Sequence, residues 1–411
     1  MKFCMVTTFY PPFNFGGDGI YVQALAQQLL VRGHQVTVVH CLDAYSLMAK
    51  QPVSAADEET IDGVRVVRLR SRWGALSPLL TQQTGLPLLK AQRLRRVLAE
   101  GFDVVNFHNI SLVGGPAVLR LPAPGALKLY TLHEHWLLCP THVFWKNRRH
   151  ACDKPTCLSC CLRSGIPPQA WRASHLIEDA LRHVQALLAP SEFTAALHRQ
   201  AGFAPPIVVN PLFSRLSAPP NAVAPSAAPY FLCVGRVTAS KGVRPLAELF
   251  AAQARHRLHV AGDGDELEAL RVRFAAQREV QFLGAVNSAQ LPALYAGSVA
   301  LIMPSLAPET FGLAAVEAMA CGVPVIVRDA GGCREIVDAS GAGHVFTDFA
   351  ELPALLDRLA DDAAHRQRLA ERARAASAER FSVERHIERY LSVIGALRAG
   401  RSPVAAQEEA A

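Results

Sequence analysis

No stretch of this 411-residue chain carries the roughly 18–20 consecutive apolar residues that a bilayer-spanning helix needs. The N-terminus, "MKFCMVTTFYPP", has one lysine and a short apolar run that stops at two prolines. It reads as a first strand and its loop rather than a secretory signal. A cytoplasmic protein is therefore expected, peripheral at most to the inner membrane face, with its ten cysteines reduced. Short-period repeats are also absent. Glycine is missing where a dinucleotide fingerprint would need it: "FGGDGIYV" and "VAGDGDEL" each lack the third glycine, which counts against a nicotinamide or flavin enzyme. Acidic residues are missing from Gly63 to Ala99, whereas Arg65, Arg68, Arg70, Arg72, Lys90, Arg93, Arg95 and Arg96 are basic. Such a block can meet anionic lipid or an acidic glycan, and a solvated face has the same composition. The net charge of +7 is mild for this length, and no nucleic-acid partner is expected.

What is present points to an α/β enzyme of two domains. Hydrophobic residues make up 50% and charged residues 19%, a composition that suits a soluble globular chain too long for one core. Met1–Thr8 reads as a buried strand, followed by the loop "FYPPFNFGGDG", a helix near Ile20–Arg32 closed by Gly33, and the strand "HQVTVVHC". This is the opening of a doubly wound sheet. Further strands are expected at "GVRVVRL", "DVVNFH", "LKLYTLH", "ALLAPS" and "PIVVNP". The segment "SAPPNAVAPSAAP", residues 217–229, reads as a linker. A second alternating series follows with "YFLCVGR", "RLHVAGDG", "VQFLG", "VALIMPS" and "VPVIVRD". The expected plan is two Rossmann-like domains facing across a cleft, residues 1–216 and 230–382, with a C-terminal helix and tail in 383–411.

Three motifs carry chemistry. "GRVTASKG" places Arg236 and Lys241 in a loop after a strand, where loops reach the ligand crevice of an open α/β sheet; two cations there suit a diphosphate. In "VAGDGDEL", Gly262 and Gly264 would let a nucleotide approach the backbone. "ETFGLAAVE" holds two acids, Glu309 and Glu317, eight positions apart. Were both helical, they would lie about 80° apart around the axis. "LIMPS" is instead a strand and "LAPETFG" its loop, with a helix expected from Leu313 to Ala320 and stopped by Gly322 and Pro324. Glu309 is then a loop acid and Glu317 a helix acid. The backbone at Phe311, Gly312 and Leu313 offers free N–H groups to a phosphate, and the carboxylates can accept hydrogen bonds from sugar hydroxyls.

Taken with "FNFGGDG", "DVVNFHN", "TLHEHW" and "APSEFTAAL", these motifs make the whole chain resemble the retaining GT-B glycosyltransferases of family 4. The resemblance implies a nucleotide-diphosphate sugar donor bound to the C-terminal domain, with UDP or GDP as the nucleotide. It implies that Arg236 and Lys241 bind the donor diphosphate, that Glu309 contacts the donor sugar and Glu317 the ribose, and that Gly16 and Gly17 lie near phosphate and acceptor. His108 matches the second position of a frequent H-x-H whose first position is Asn106 here, and His133 matches a cleft histidine; a satisfied core residue is the alternative for both. The implied reaction is front-face attack at an oxocarbenium-like centre by a glycan or lipid-linked acceptor. It needs no cofactor. A nucleotide-sugar 2-epimerase and a non-catalytic nucleotide-sugar sensor share the architecture. Acceptor dependence separates transfer from epimerisation, and the intact Arg236, Lys241, Glu309 and Glu317 set speaks for activity.

Half of the cysteines crowd into one insertion, about residues 139–165: Cys139, Cys152, Cys157, Cys160 and Cys161. C-x4-C-x2-C is short-loop metal-ligand spacing. A structural zinc held by Cys139, Cys152, Cys157 and Cys160 is the expectation, with Cys161, His142 or His150 as substitutes. The alternative is a packed loop of reduced thiols.

Overall fold

The computed structural model describes residues 1–216 and 229–405. All but the last residue of the expected linker lie outside the described residues. The chain forms two compact units. One comprises Met1–His142, Thr156–Asn210 and the chain from Ile387 onward; the other comprises Val143–Pro155 and Pro211–His386.

In the first unit an eight-stranded sheet runs in the order Ile207–Val209, Ala186–Ala189, Leu127–Thr131, Val104–Phe107, Lys2–Val6, Gln35–Cys41, Val64–Leu69, Glu58–Ile61. All neighbours are parallel except the last pair. Phe3, Cys4, Met5 and Val6 are fully buried, as a parallel strand covered by helices on both faces requires. Helix Gly17–Val31 covers one face and ends at Gly33, whose φ of +79° only glycine adopts readily.

Strand Glu58–Ile61 is an antiparallel edge with little apolar signal, and its acids change the meaning of the basic block. Arg65 pairs with Glu58 at 3.0 Å and also with Glu100. Arg68 pairs with Glu59 at 2.7 Å, Arg70 with Asp57 at 2.6 Å, and Arg93 with Glu58. Lys90 is buried. The expected cationic face is thus largely neutralised by acids flanking the acid-free stretch.

The second unit holds a six-stranded parallel sheet in the order Val280–Gly284, Arg257–Ala261, Tyr230–Val234, Leu301–Met303, Val325–Arg328, Gly343–Phe346. Its core is built from Phe231, Leu246, Phe250, Leu258, Ile302 and Ile326.

The C-terminal helix Val383–Arg398 is not a separate piece. From Ile387 it belongs to the first unit, where buried Tyr390 accepts a hydrogen bond from Asn106 Nδ2 at 3.2 Å and Arg398 meets Asp103 at 2.9 Å. Asn106, fully buried, also accepts from Thr131 Oγ1 at 3.2 Å. The residue that departs from H-x-H therefore anchors this helix to the sheet.

Candidate functional site

In the second sheet, strands Tyr230–Val234 and Leu301–Met303 are neighbours, and Arg257–Ala261 lies on the far side of the first and Val325–Arg328 on the far side of the second. The connections leaving the two central strands diverge to opposite sides. This is a topological switch point, where the carboxyl ends of an open α/β sheet leave a crevice. The loop after the first strand carries Arg236 and Lys241; the loop after the second carries Ser305 and Glu309.

The two loops are locked together. A Cβ on Gly242, where φ is +70°, would sit 2.1 Å from the Pro304 carbonyl oxygen. Leu306 and Ala307 both donate their N–H to Ser240 O, at 2.8 and 3.0 Å. Glu309 is fixed on both backbone sides: its N–H donates to Ala330 O at 3.0 Å and its carbonyl accepts from Gly332 N–H at 2.8 Å.

Lys241 Nζ donates to Glu309 Oε1 at 2.5 Å, and Ser305 Oγ donates to the same oxygen. Gly235, Arg236, Lys241, Pro304, Ser305 and Glu309 line a pocket there. Burial pushes the Glu309 carboxyl up. The charge and hydrogen bond of Lys241, the Ser305 hydroxyl and the Arg236 charge outweigh it and hold the group below the usual carboxylate range. Arg236 is exposed. The pocket thus contains one anchored carboxylate, one ammonium held against it, and one guanidinium open to an incoming anion.

Helix Leu313–Ala320 has the expected bounds, and Gly322, with φ of +73°, ends it. Glu317 Oε2 accepts from the Tyr295 hydroxyl at 3.0 Å, and Tyr295 is completely buried. Burial raises the Glu317 carboxyl against the opposing pull of Tyr295 and Arg215. The two acids therefore differ in environment, one clamped by a cation and one supported by a phenol. Gly312, with φ of +114°, starts the helix, and a Cβ there would lie 2.9 Å from Cys333 Sγ. Phe311 is buried against Phe381, and Leu313 is half-buried. The Phe311 side chain is a core anchor, so any donor contact from it falls to the backbone.

Gly262 has another explanation. Its Cβ position lies 1.7 Å from the Gly235 carbonyl oxygen. Gly264 is similarly filled by Val237 O at 2.3 Å. Val237 N–H donates to Asp263 O at 2.9 Å and accepts back through its carbonyl from Glu266 N–H at 3.1 Å. These glycines are required by loop-on-loop packing within the protein, a demand that spacing alone attributes to a ligand.

The first unit has its own switch point, between Lys2–Val6 and Val104–Phe107. Gly16, with φ of +82°, and Gly17 are exposed at the start of helix Gly17–Val31. Asp18 accepts from Gly19 N–H at 2.9 Å and from Asn109 Nδ2 at 3.2 Å. Burial, then the charge of Glu134, pushes its carboxyl up to about 6. His108 and His133 are brought together: Nδ1 of the first lies 2.9 Å from Nε2 of the second, with the rings tilted by 24°. Tyr21 packs edgewise on both rings. His108 is buried and His133 half-buried. Burial, reinforced by the neighbouring ring, holds His108 well below the usual imidazole range. His133 is the more accessible ring, and His108 supports it from behind.

The cysteines are free thiols. Cys157, Cys160 and Cys161 share the short helix Cys157–Arg163, and Cys152 lies in the segment that belongs to the second unit. Among the described residues, no group of three or more His, Cys, Asp or Glu side chains is gathered as a metal ion requires. Cys157 and Cys161 each lie within electrostatic range of Cys139 and Cys160, and a zinc on Cys139, Cys152, Cys157 and Cys160, with Cys161 in reserve, stays an expectation for elemental analysis to test. His142 is instead engaged with Glu134 at 2.8 Å.

The motifs missed Ser305, Tyr295, Asp18 and Asn109. Ser305 and Tyr295 act by holding a recognised acid, and nothing in their local sequence signals that. Asp18 and Asn109 stand inside quoted motifs, "GGDG" and "FHN", and only the fold brings them together.

Comparison with known proteins agrees with this geometry. Residues 16–212 match the family described as glycosyl transferase 4-like domain, and residues 217–376 the family described as glycosyl transferases group 1. A GDP-mannose-dependent alpha-mannosyltransferase of Mycobacterium tuberculosis is 31% identical over 342 residues, 79% of each chain. An uncharacterised glycosyltransferase of Methanocaldococcus jannaschii is 27% identical over 355 residues, 82% of this chain and 83% of that one. The O-antigen biosynthesis glycosyltransferase WbnH of Escherichia coli is 29% identical over 163 residues, 40% of this chain and 46% of that one. Among solved structures, sucrose-phosphate synthase from Thermosynechococcus elongatus superposes with a TM-score of 0.75 at 19% identity, covering 97% of this chain and 99% of that one. HepE of Anabaena in complex with UDP gives 0.67 at 20% identity, covering 96% and 100%.

Proposed function

This chain belongs to the GT-B glycosyltransferases, and on that premise we propose that it is a retaining family 4 enzyme of polysaccharide biosynthesis. In this reading it moves a hexosyl group from a UDP- or GDP-sugar to a glycan or lipid-linked acceptor at the cytoplasmic membrane face. The observation that carries the proposal is the Lys241–Glu309 pair beside exposed Arg236 at the switch point of the second unit. Support for a nucleotide donor comes from the UDP complex of the similarly folded HepE.

The chain's own groups account for the donor half of such a reaction. Arg236 and Lys241 neutralise the diphosphate, assisted by the backbone N–H groups that open helix Leu313–Ala320. As the diphosphate enters, Lys241 is shared between it and Glu309. That frees a lone pair of the carboxylate for a sugar hydroxyl. Glu317, backed by Tyr295, accepts from the ribose. The acceptor oxygen bonds to the anomeric carbon on the face from which the phosphate oxygen departs, and that oxygen takes the acceptor proton. No enzyme nucleophile is needed. The stabilisation is electrostatic, directed at charge that grows on the leaving diphosphate.

The test is nucleotide release from UDP- and GDP-sugars with and without acceptor, with the anomeric configuration of the product read by NMR. Acceptor-dependent release with retention supports the reading. Inversion, or acceptor-free isomerisation of the sugar, overturns it.

A further inference from the structure

Four buried polar side chains line up across neighbouring strands of the first unit. In the parallel sheet His40 is opposite Arg68. Val6 is opposite both Val39 and Phe107, so Thr7, the next residue, falls opposite His40 on one side and His108 on the other. The backbone bonds agree: Thr7 N–H donates to Val39 O at 3.0 Å, and His108 N–H donates to Val6 O at 2.9 Å. Residues opposite one another in a parallel ladder share a face of the sheet. The row therefore reads His108, Thr7, His40, Arg68, and these residues are 1%, 0%, 0% and 3% exposed.

Each member of the row keeps a polar atom unanswered. Among the described residues, His108 Nε2, Thr7 Oγ1, both ring nitrogens of His40 and Arg68 Nε have no hydrogen-bond partner. Buried polar atoms are nearly always bonded, so a row of them calls for a shared explanation. Side chains on neighbouring strands stand about 5 Å apart, roughly the span that one bridging water closes. Buried water joins groups of this kind. One end of the row is fixed. The Arg68 guanidinium donates through Nη1 to Ala56 O at 2.9 Å and through Nη2 to Glu59 Oε2 at 2.7 Å. Phe13 covers that end: its ring stacks with His40 at 6.3 Å and lies 5.5 Å from the Arg68 guanidinium carbon.

The chemistry of the ends gives the row a direction. Arginine has donors only, so Arg68 Nε–H can only give a hydrogen bond away. Burial, then the charge of Arg68, pushes the His40 imidazole down to about 3, so the ring is neutral and carries one N–H and one lone pair. The nitrogen that accepts from the Arg68 side leaves the other to donate toward Thr7. The Thr7 hydroxyl then accepts and passes its own hydrogen on to His108 Nε2. A bridging water keeps this order, because it accepts on one side and donates on the other. His108, with Nε2 accepting, carries its proton on Nδ1 and donates it to His133 Nε2, 2.9 Å away. His133 is then left with its own proton on Nδ1. We infer that Arg68, His40 and Thr7 form a hydrogen-bond relay, closed by ordered water, that acts through His108 to fix His133 in its Nδ1–H form. The three are positioning residues, and they make His133 a donor at Nδ1 rather than a general base. That use rests on the proposed transferase reading, in which the departing phosphate oxygen takes the acceptor proton, but the test needs no substrate.

The experiment is long-range proton–nitrogen correlation NMR of the full-length protein labelled with ¹⁵N at histidine, at a pH where both rings are neutral. It reads which nitrogen of each ring holds the proton, and spectra of His108→Asn and His133→Asn assign the pair. In the wild type both rings are expected as Nδ1–H, His133 to at least about nine-tenths. His40→Phe cuts the relay and Arg68→Met removes its donor-only end; in each the Nδ1–H share of His133 should fall to about half. Glu59→Gln breaks the Arg68 ion pair but keeps Nε–H, so it should retain the wild-type pattern. Circular dichroism confirms the fold of each variant. A His133 ring protonated on Nε2 in the wild type overturns the inference, whatever the variants do. So does an unchanged His133 pattern in folded His40→Phe or Arg68→Met. An equal shift in Glu59→Gln also overturns it and traces the effect to the edge strand. Nucleotide release measured on the wild type reports separately: its absence beside the expected tautomers faults the transferase reading alone.

Discussion

Replacing Lys241 by methionine keeps the aliphatic stem and removes the charge. Lys241 and Glu309 side chains are 28% and 15% exposed, so neither is fully desolvated. Loss of the ammonium leaves Glu309 with the Ser305 hydroxyl and the Arg236 field. The stability cost is about 1–3 kcal/mol, below that of breaking a fully buried pair because water reaches this one. That corresponds to a fall in melting temperature of about 2–12 °C. The kinetic cost is larger. A preorganised donor aimed at charge that develops on a leaving group is worth about 3–4 kcal/mol, or roughly 10²–10³ in kcat. Steady-state nucleotide release gives kcat and KM, and a thermal scan gives the fold. The prediction is a fall in kcat of at least about a hundredfold with cooperative unfolding retained. A kcat within threefold of wild type would refute the assignment of Lys241 to the leaving diphosphate. Loss of the unfolding transition would show that the pair is structural instead.

Four further outcomes are expected. Ser305→Ala removes one charge-assisted hydrogen bond from Glu309, so turnover should fall about tenfold with the fold intact, read in the same release assay. Gly262→Ala should lower stability by more than about 3 kcal/mol whether or not nucleotide is present, because the new methyl meets the Gly235 carbonyl; a stable variant that has lost only donor binding would restore the ligand explanation. Asp18, raised to about 6 from 3.8, binds more protons folded than unfolded between those values, so its ionisation costs stability as pH rises through that window. Asp18→Asn should therefore be more stable than wild type above pH 6, by about 2–3 kcal/mol in chemical denaturation, and equal to it near pH 3. Elemental analysis of purified protein tests the expected structural zinc: about one equivalent supports a site on the Cys139–Cys161 thiols, and less than about a tenth of an equivalent removes it.

Much of the architecture was legible because buried parallel strands such as "KFCMV" and "VIVR" are continuous apolar runs flanked by glycine loops. Helix Leu313–Ala320 was readable to the residue, since Gly312 and Gly322 punctuate it. Edge strand Glu58–Ile61 was not, because an exposed edge needs no apolar face and its signal lies in acids that answer arginines on the next strand. Arg236, Lys241 and Glu309 converge at one crevice because the strands that carry their loops are sheet neighbours. That adjacency follows from strand order, which spacing does not encode. The buried role of Asn106, the support of His133 by His108, and the packing demand at Gly262 all depend on partners 25 or more residues away.

The central claim is that Arg236, Lys241 and Glu309 form a seat for a nucleoside diphosphate, and direct binding tests it most simply. Isothermal titration of the wild-type protein with UDP and with GDP, repeated on Arg236→Gln/Lys241→Met, needs neither acceptor nor sugar. Saturable one-to-one binding of at least one of the two nucleotides, weakened at least about a hundredfold in the double variant, is the predicted result. Equal affinity in the folded double variant, or no binding of either nucleotide to the wild type, would contradict it.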